Sequence, residues 1–326
     1  MLASYQHLCP ALTRASLQLT THHSPLSTRH SPLLYNHPVP LRVAAISFLN
    51  PAPLLYDFEH DPAASRLRAN YTLHYTSPAN CAHQLVNNEA DLGLIPIAAL
   101  TPDLAIVPGC TIASQHQVRS ILLLVKNPHN VSTAEALTQV RTVAADAASR
   151  SSIAYARILF EHFHHVHATF VEQPADPLAM LASADAALLI GDPALLARER
   201  PTTIDAAHPH LLWLDLATLW RQHTGLPWVA AVWAVRPEAL TTSTITPAQL
   251  IADLTTSRDH GLAAIDDLVR EWTPRLAISP ATIRTYLTQN IHYTLDPACL
   301  QTIQLFRTLA ATIDALPPLP TLNLLR

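Results

Sequence analysis

Charge is scarce in this sequence. Asp, Glu, Lys and Arg make up 13% of the 326 residues, against 49% hydrophobic residues. That composition excludes both a highly charged binding surface and disorder of the whole chain, because there is enough apolar material to fill a core. The net charge of −4 is spread without acidic or basic blocks, so there is no electrostatic footprint for nucleic acid or for an anionic membrane. Glycine is scarcer still. The five glycines (Gly93, Gly109, Gly191, Gly225 and Gly261) form neither GxGxxG nor GxxxxGK, which removes the phosphate-cradling loops and with them nucleotide binding. The four cysteines, Cys9, Cys81, Cys110 and Cys299, lie far apart without CxxC spacing, as reduced cytosolic thiols do. No apolar run reaches the ~18 residues that a spanning helix needs. Nor does a secretory signal form, because Arg14, Gln18, His22 and His23 interrupt every candidate run. A cytoplasmic protein follows, preceded by a polar stretch rich in Ser, Thr, His and Pro at residues 1 to 41 that reads as a disordered extension.

What is present is an α/β pattern on a scale that suits two lobes. Short apolar runs predict buried strands at Val43 to Ile46, Leu92 to Ile95, Ile121 to Val125, Ala186 to Ile190 and Val229 to Val235. Helical segments alternate with them, as in mostly parallel sheets covered on both faces. From Thr246 onward the sequence reads as three helices without a strand, the first closing at Asp259 to Gly261 and Trp272 to Leu276 leading into the second. The nineteen histidines show no HExxH and no carboxylate at ligand spacing, and His162, His164, His165 and His167 read as the wet face of a helix.

Helix starts carry the functional signal. A capping residue followed by proline recurs at Asn50-Pro51, Ser77-Pro78, Asp192-Pro193, Thr246-Pro247, Ser279-Pro280 and Asp296-Pro297. Asn50, Ser77 and Asp192 follow predicted strands, at the sheet edge where open α/β folds bind ligands. A further helix begins near Ser151 and Ser152, with Ile153, Ala156, Phe160 and Phe163 as its apolar stripe. Free N–H groups and hydroxyls at such an end suit a carboxylate. Trp220, Trp228 and Trp233 read as core or cleft wall. Arg119 is a possible carboxylate clamp, but strand alternation would point it away from Ser120.

Taken in order, these segments resemble one known family. Ile46-Ser47-Phe48-Leu49-Asn50-Pro51, Ser77-Pro78-Ala79-Asn80, Asp91-Leu92-Gly93-Leu94-Ile95-Pro96 and Val118-Arg119-Ser120-Ile121 come first. Ser149-Arg150-Ser151-Ser152, Gly191-Asp192-Pro193, Asp215-Leu216 and Thr224-Gly225-Leu226-Pro227 follow. Together they resemble the chorismate dehydratases of the futalosine route to menaquinone, whose fold is similar to type 2 periplasmic binding proteins. The resemblance implies a two-lobed α/β fold with a ligand cleft, residues 42–124 and 230–326 forming one lobe and 125–229 the other. It implies loss of water from chorismate, a small-molecule substrate, with neither metal nor organic cofactor, in a monomer or homodimer. Asn50 and Ser120 would be catalytic, and Ser77, Ser151, Ser152, Asp192 and Thr224 would bind substrate. For the base, two groups stand open: the substrate's own enolpyruvyl carboxylate, favoured because Asp192 has an ordinary use as a helix cap, and Asp192 itself, with Asp91 a poorer candidate. The rivals are a non-catalytic carboxylate-binding protein of the same fold, the sister enzyme 1,4-dihydroxy-6-naphthoate synthase, whose first turn typically reads Ser-Pro-Cys-Pro-Asn-Asp, and a ligand-sensing regulator.

Overall fold

Eleven strands assemble into two sheets, one for each lobe, in a computed structural model that describes residues 39–147 and 150–326. The extension expected at residues 1 to 41 lies outside the described residues as far as residue 38, and Leu41 already opens the first strand. The strands are β1 (Leu41–Ile46), β2 (Tyr71–Thr76), β3 (Leu92–Pro96), β4 (Ala105–Ser114), β5 (Ile121–Val125), β6 (Thr142–Asp146), β7 (Thr169–Gln173), β8 (Ala186–Ile190), β9 (Leu212–Asp215), β10 (Trp228–Val235) and β11 (His292–Leu295). The first sheet has the order β11-β4-β10-β3-β1-β2 and the second β7-β6-β8-β5-β9. The chain passes to the second sheet between β4 and β5 and returns between β9 and β10.

The five strands expected from apolar runs are all present, and β3, β5 and β8 are buried along their whole length. The expectation of mostly parallel sheets needs correction. Parallel pairing joins β2 to β1 to β3 and β7 to β6 to β8, but β10 runs antiparallel to both β3 and β4, and β5 antiparallel to both β8 and β9. The cause is the connection: a strand that returns from the other lobe enters its sheet from the opposite end.

The C-terminal section also departs from the three-helix expectation. Its first helix runs Pro247–Ala263, through Gly261, because Gly261 is pressed against the Ala52–Leu55 turn. A Cβ at Gly261 would stand 2.3 Å from the Pro53 carbonyl oxygen. Trp272 lies inside the next helix, Ile265–Leu276, and β11 intervenes before the last helix, Pro297–Thr312. Close approach at Gly261 serves the cleft. It lets Ser257 accept from Asp57 N (3.0 Å) and donate to Leu54 O (2.9 Å), so that the turn following Asn50 is held from behind.

Trp220, Trp228 and Trp233 are core residues. Tyr155 packs against Trp220, Trp228 and Phe306 with ring centroids 4.9, 5.3 and 4.3 Å away, and its hydroxyl donates to Val229 O at 3.0 Å. This cluster ties the helix Arg150–Arg157 to β10 and so fixes where Ser151 and Ser152 stand.

Candidate functional site

The six residue-plus-proline pairs divide into two kinds. Ser77, Thr246, Ser279 and Asp296 accept from the backbone N–H three residues on and cap their helices, as expected. Asn50 and Asp192 do not cap. The helical turn after Asn50 starts at Ala52 with Pro51 in the cap position, and the helix carrying Asp192 starts a residue earlier, at Gly191, behind Ile190. The expectation that Asp192 is a helix cap is therefore corrected: its Oδ1 accepts from Leu49 N at 3.0 Å, a residue of the first lobe. Beside that bond the Phe48 ring covers Gly191, where a Cβ would lie 2.7 Å from Phe48 Cε2, and φ is +61°. The two loops meet face to face.

Behind this meeting point lies a narrow, half-open cavity of about 50 Å³. Its wall is chiefly apolar, from Ile46, Phe48, Ile112, Ile121, Ile190 and neighbours, with Asn50, Arg150, Ser151 and Ser152 as the polar members. The Asn50 amide oxygen is buried and has no hydrogen-bond partner in the protein, an arrangement that asks for a donor from a ligand. Ser151 Oγ accepts from Ala98 N at 3.1 Å and donates to Ala230 O at 3.3 Å, joining the second lobe to two elements of the first. Arg150 brings positive charge to the rim, which its place beside two serines at a helix start does not reveal in the sequence.

Ser120 is fully buried and lies behind the cavity wall, next to its lining residue Ile121. Its Oγ accepts from the Tyr286 hydroxyl at 2.7 Å. Burial raises the Tyr286 pKa against the opposing pull of hydrogen bonding from Ser120 and Asn50, so the phenol stays protonated and the three side chains form one group. Tyr286 opens a π-helical turn, Tyr286–Asn290, and is the second residue the sequence reading missed. Asp215 secures the approach to Ser120 by accepting from Val118 N (3.2 Å), Arg119 N (2.7 Å) and Thr218 N (3.1 Å).

The carboxylates separate clearly. Burial pushes Asp192 up to about 6, with only the Leu49 N–H opposing it. For Asp91 burial acts upward too, but Arg42 and Arg236 hold it below the usual carboxylate range. Asp91 forms a fork with Arg42 Nε (3.0 Å) and Nη2 (2.7 Å), which excludes it as a base. Three other candidates lie away from the cavity lining. Ser77 is exposed and caps its helix, and Thr224 donates to Trp220 O (2.8 Å) and accepts from Leu226 N (3.2 Å) ahead of the left-handed Gly225. Arg119 has a φ of +63° and lines a separate concavity with Arg198 and Trp213. A wider hollow that shares Ile46 and Phe48 with the cavity contains Glu59, Tyr75, Glu271 and Arg275, but these pair among themselves, Tyr75 with Glu59 and Arg275 with Glu271.

Among the described residues, one set of possible metal ligands converges within 4.8 Å: His292, Asp296 and Cys299. Asp296 caps the last helix and binds His292 Nε2 at 3.0 Å, while burial pushes the Cys299 thiol up to about 12 and keeps it protonated. These are structural uses.

Comparison with known proteins bears on this cleft. A family model described as menaquinone biosynthesis matches residues 41–312. A curated relative, a chorismate dehydratase of Thermus thermophilus, is 28% identical over 242 residues, covering 71% of this chain and 83% of the relative. Among solved structures, an alkanesulfonate-binding protein of Xanthomonas axonopodis pv. citri with bound MOPS has a TM-score of 0.63 at 16% identity, over 88% of this chain and 96% of that one. A protein of Archaeoglobus fulgidus also reaches a TM-score of 0.63, at 15% identity over 83% and 97%. The solved structures show the two-lobed fold of periplasmic binding proteins. Among the described residues no helix is long and apolar enough to cross a membrane.

Proposed function

The chain belongs to the menaquinone biosynthesis family, and we propose that its reaction there is the dehydration of chorismate to 3-[(1-carboxyvinyl)oxy]benzoate. The observation that carries this reading is the partnerless Asn50 amide oxygen in a chiefly apolar cavity. Chorismate has an apolar ring face for the isoleucine wall, a hydroxyl at C4 that can donate to Asn50, and carboxylates that match Ser152 and Arg150. The resemblance of the Phe48-Leu49-Asn50-Pro51 turn to the dehydratases, and the Thermus relative's name, support the same assignment.

Removal of the C3 proton sends charge into the ring carboxylate before the C4 hydroxyl leaves. Donors placed at that carboxylate therefore stabilise the transition state more than the ground state. Ser152 supplies a hydroxyl at the start of its helix, whose dipole adds to it, while Ser151, with its proton on Ala230 O, holds that helix start against the first lobe. The base is the enolpyruvyl carboxylate of the substrate. Asp192 is absent from the cavity lining and spends one oxygen on Leu49, so its part is to hold the lobes together over the substrate. The proton taken from C3 is handed to the departing hydroxyl, and water leaves with charge balanced. Ser120 and Tyr286 set the Asn50 amide from behind. The lobes, one built on each sheet and divided between β4 and β5 and between β9 and β10, close as units in the cytoplasm around one substrate and exclude water from an intermediate that would otherwise react with it.

Incubating the protein with chorismate, without added metal or cofactor, tests this. The expected product is lighter by one water and absorbs as an aromatic acid. Chorismate bound but unchanged would make the chain a binding protein, and chorismate ignored would end the assignment.

A further inference from the structure

Arg307, on the helix Pro297–Thr312, has 2% of its surface exposed and is the only cation among the buried residues described. Its Nη1 donates to Ala98 O at 2.7 Å and its Nη2 to Pro317 O at 3.0 Å, while Nε has no partner. No ion pair between described residues includes it. Buried charges are ordinarily paired with an opposite charge because desolvation is costly, and a guanidinium cannot escape that cost by losing its proton near neutral pH. An unpaired buried guanidinium therefore points to an anion that arrives from outside.

The route to the cavity is short. Ala98 belongs to the turn Ile97–Ala99 that follows the cavity residue Pro96, and the N–H of this same Ala98 donates to Ser151 Oγ. One residue thus joins the guanidinium to a hydroxyl of the cavity wall. We infer that Arg307 is a specificity-determining residue: its uncompensated charge behind the Ile97–Ala99 turn selects an anionic ligand over a neutral one of the same shape, and its bond to Ala98 O steadies the residue whose N–H orients Ser151. The inference rests on reading the cavity as a carboxylate site.

Isothermal titration of the full chain with isophthalate and with neutral isophthalamide tests it. The unmodified protein should prefer isophthalate by about tenfold or more, and Arg307→Gln should weaken isophthalate by roughly tenfold while leaving isophthalamide in place. Arg307→Lys, which keeps the charge, should restore the preference to within about threefold. Equal weakening of both probes would reveal a merely structural residue and overturn the inference, as would no preference in the unmodified protein. Should Arg307→Gln not fold, the Lys variant decides: a retained preference upholds the inference, a lost one ends it. A protein that shows these preferences but leaves chorismate unchanged refutes the dehydratase reading alone. One that dehydrates chorismate with its preference unaltered by Arg307→Gln refutes the inference alone.

Discussion

The same short signal, a polar residue followed by proline, is used differently at the cleft and away from it. At Thr246 and Ser279 the side chain turns back onto its own helix and satisfies a local N–H. At Asn50 and Asp192 the side chain turns away from its helix, leaving one oxygen without a partner and sending the other across to the opposite lobe. Polar groups at element ends stabilise the fold where they close on themselves, and are available for chemistry where they do not.

The most damaging way to sharpen this comparison is Asn50→Ala. It should lower kcat/KM for chorismate by about 10²–10³-fold, the usual loss for a preorganised polar group at a reacting centre. The thermal midpoint should fall far less than the activity, because the amide oxygen has no internal partner to lose and only the contact with Tyr286 goes. Kinetics beside a melting curve reads both.

Asp192→Asn acts on stability instead. Burial raises the pKa of Asp192 from 3.8 to about 6, so the folded state holds its proton more tightly than the unfolded chain. The penalty for burying the charge is therefore complete above pH 6 and vanishes below about pH 4. Asparagine keeps an acceptor for Leu49 N and carries no charge. The variant should be more stable than the unmodified protein by up to about 3 kcal/mol at pH 7, with the gain fading as the pH falls to 4. Denaturant titrations at the two pH values would show it, and a gain independent of pH would break the comparison. The smallest effect belongs to Thr246→Ala, which should cost about 1 kcal/mol as a lost cap and leave kcat and KM unchanged.

The sequence reveals the inner strands because a strand buried on both faces must be apolar throughout, as β5 and β8 are. It conceals β2 and β7, which lie at sheet edges and carry mixed residues, and β4, where Pro108 and Gly109 interrupt the run. At the site, Asn50, Ser151 and Ser152 are legible as residues at helix starts. Tyr286 is not: on an apolar helical stretch a tyrosine looks like core, and only the fold brings its hydroxyl to Ser120. Arg307 is hidden likewise, since an arginine inside a helix is read as a solvated side chain.

The position of β10 has a consequence for how this protein is made. It sits between β3 and β4, yet Thr111 in β4 and its hydrogen-bond acceptor Ala231 in β10 are 120 residues apart. A ribosome working at ~5–20 residues per second delivers β10 roughly 6–24 s after β4. Throughout that delay two apolar strands wait with bare edges facing an empty place in the sheet, while β5 to β9 can already complete theirs. The nascent first lobe is thus the stage at which a chaperone has something to hold.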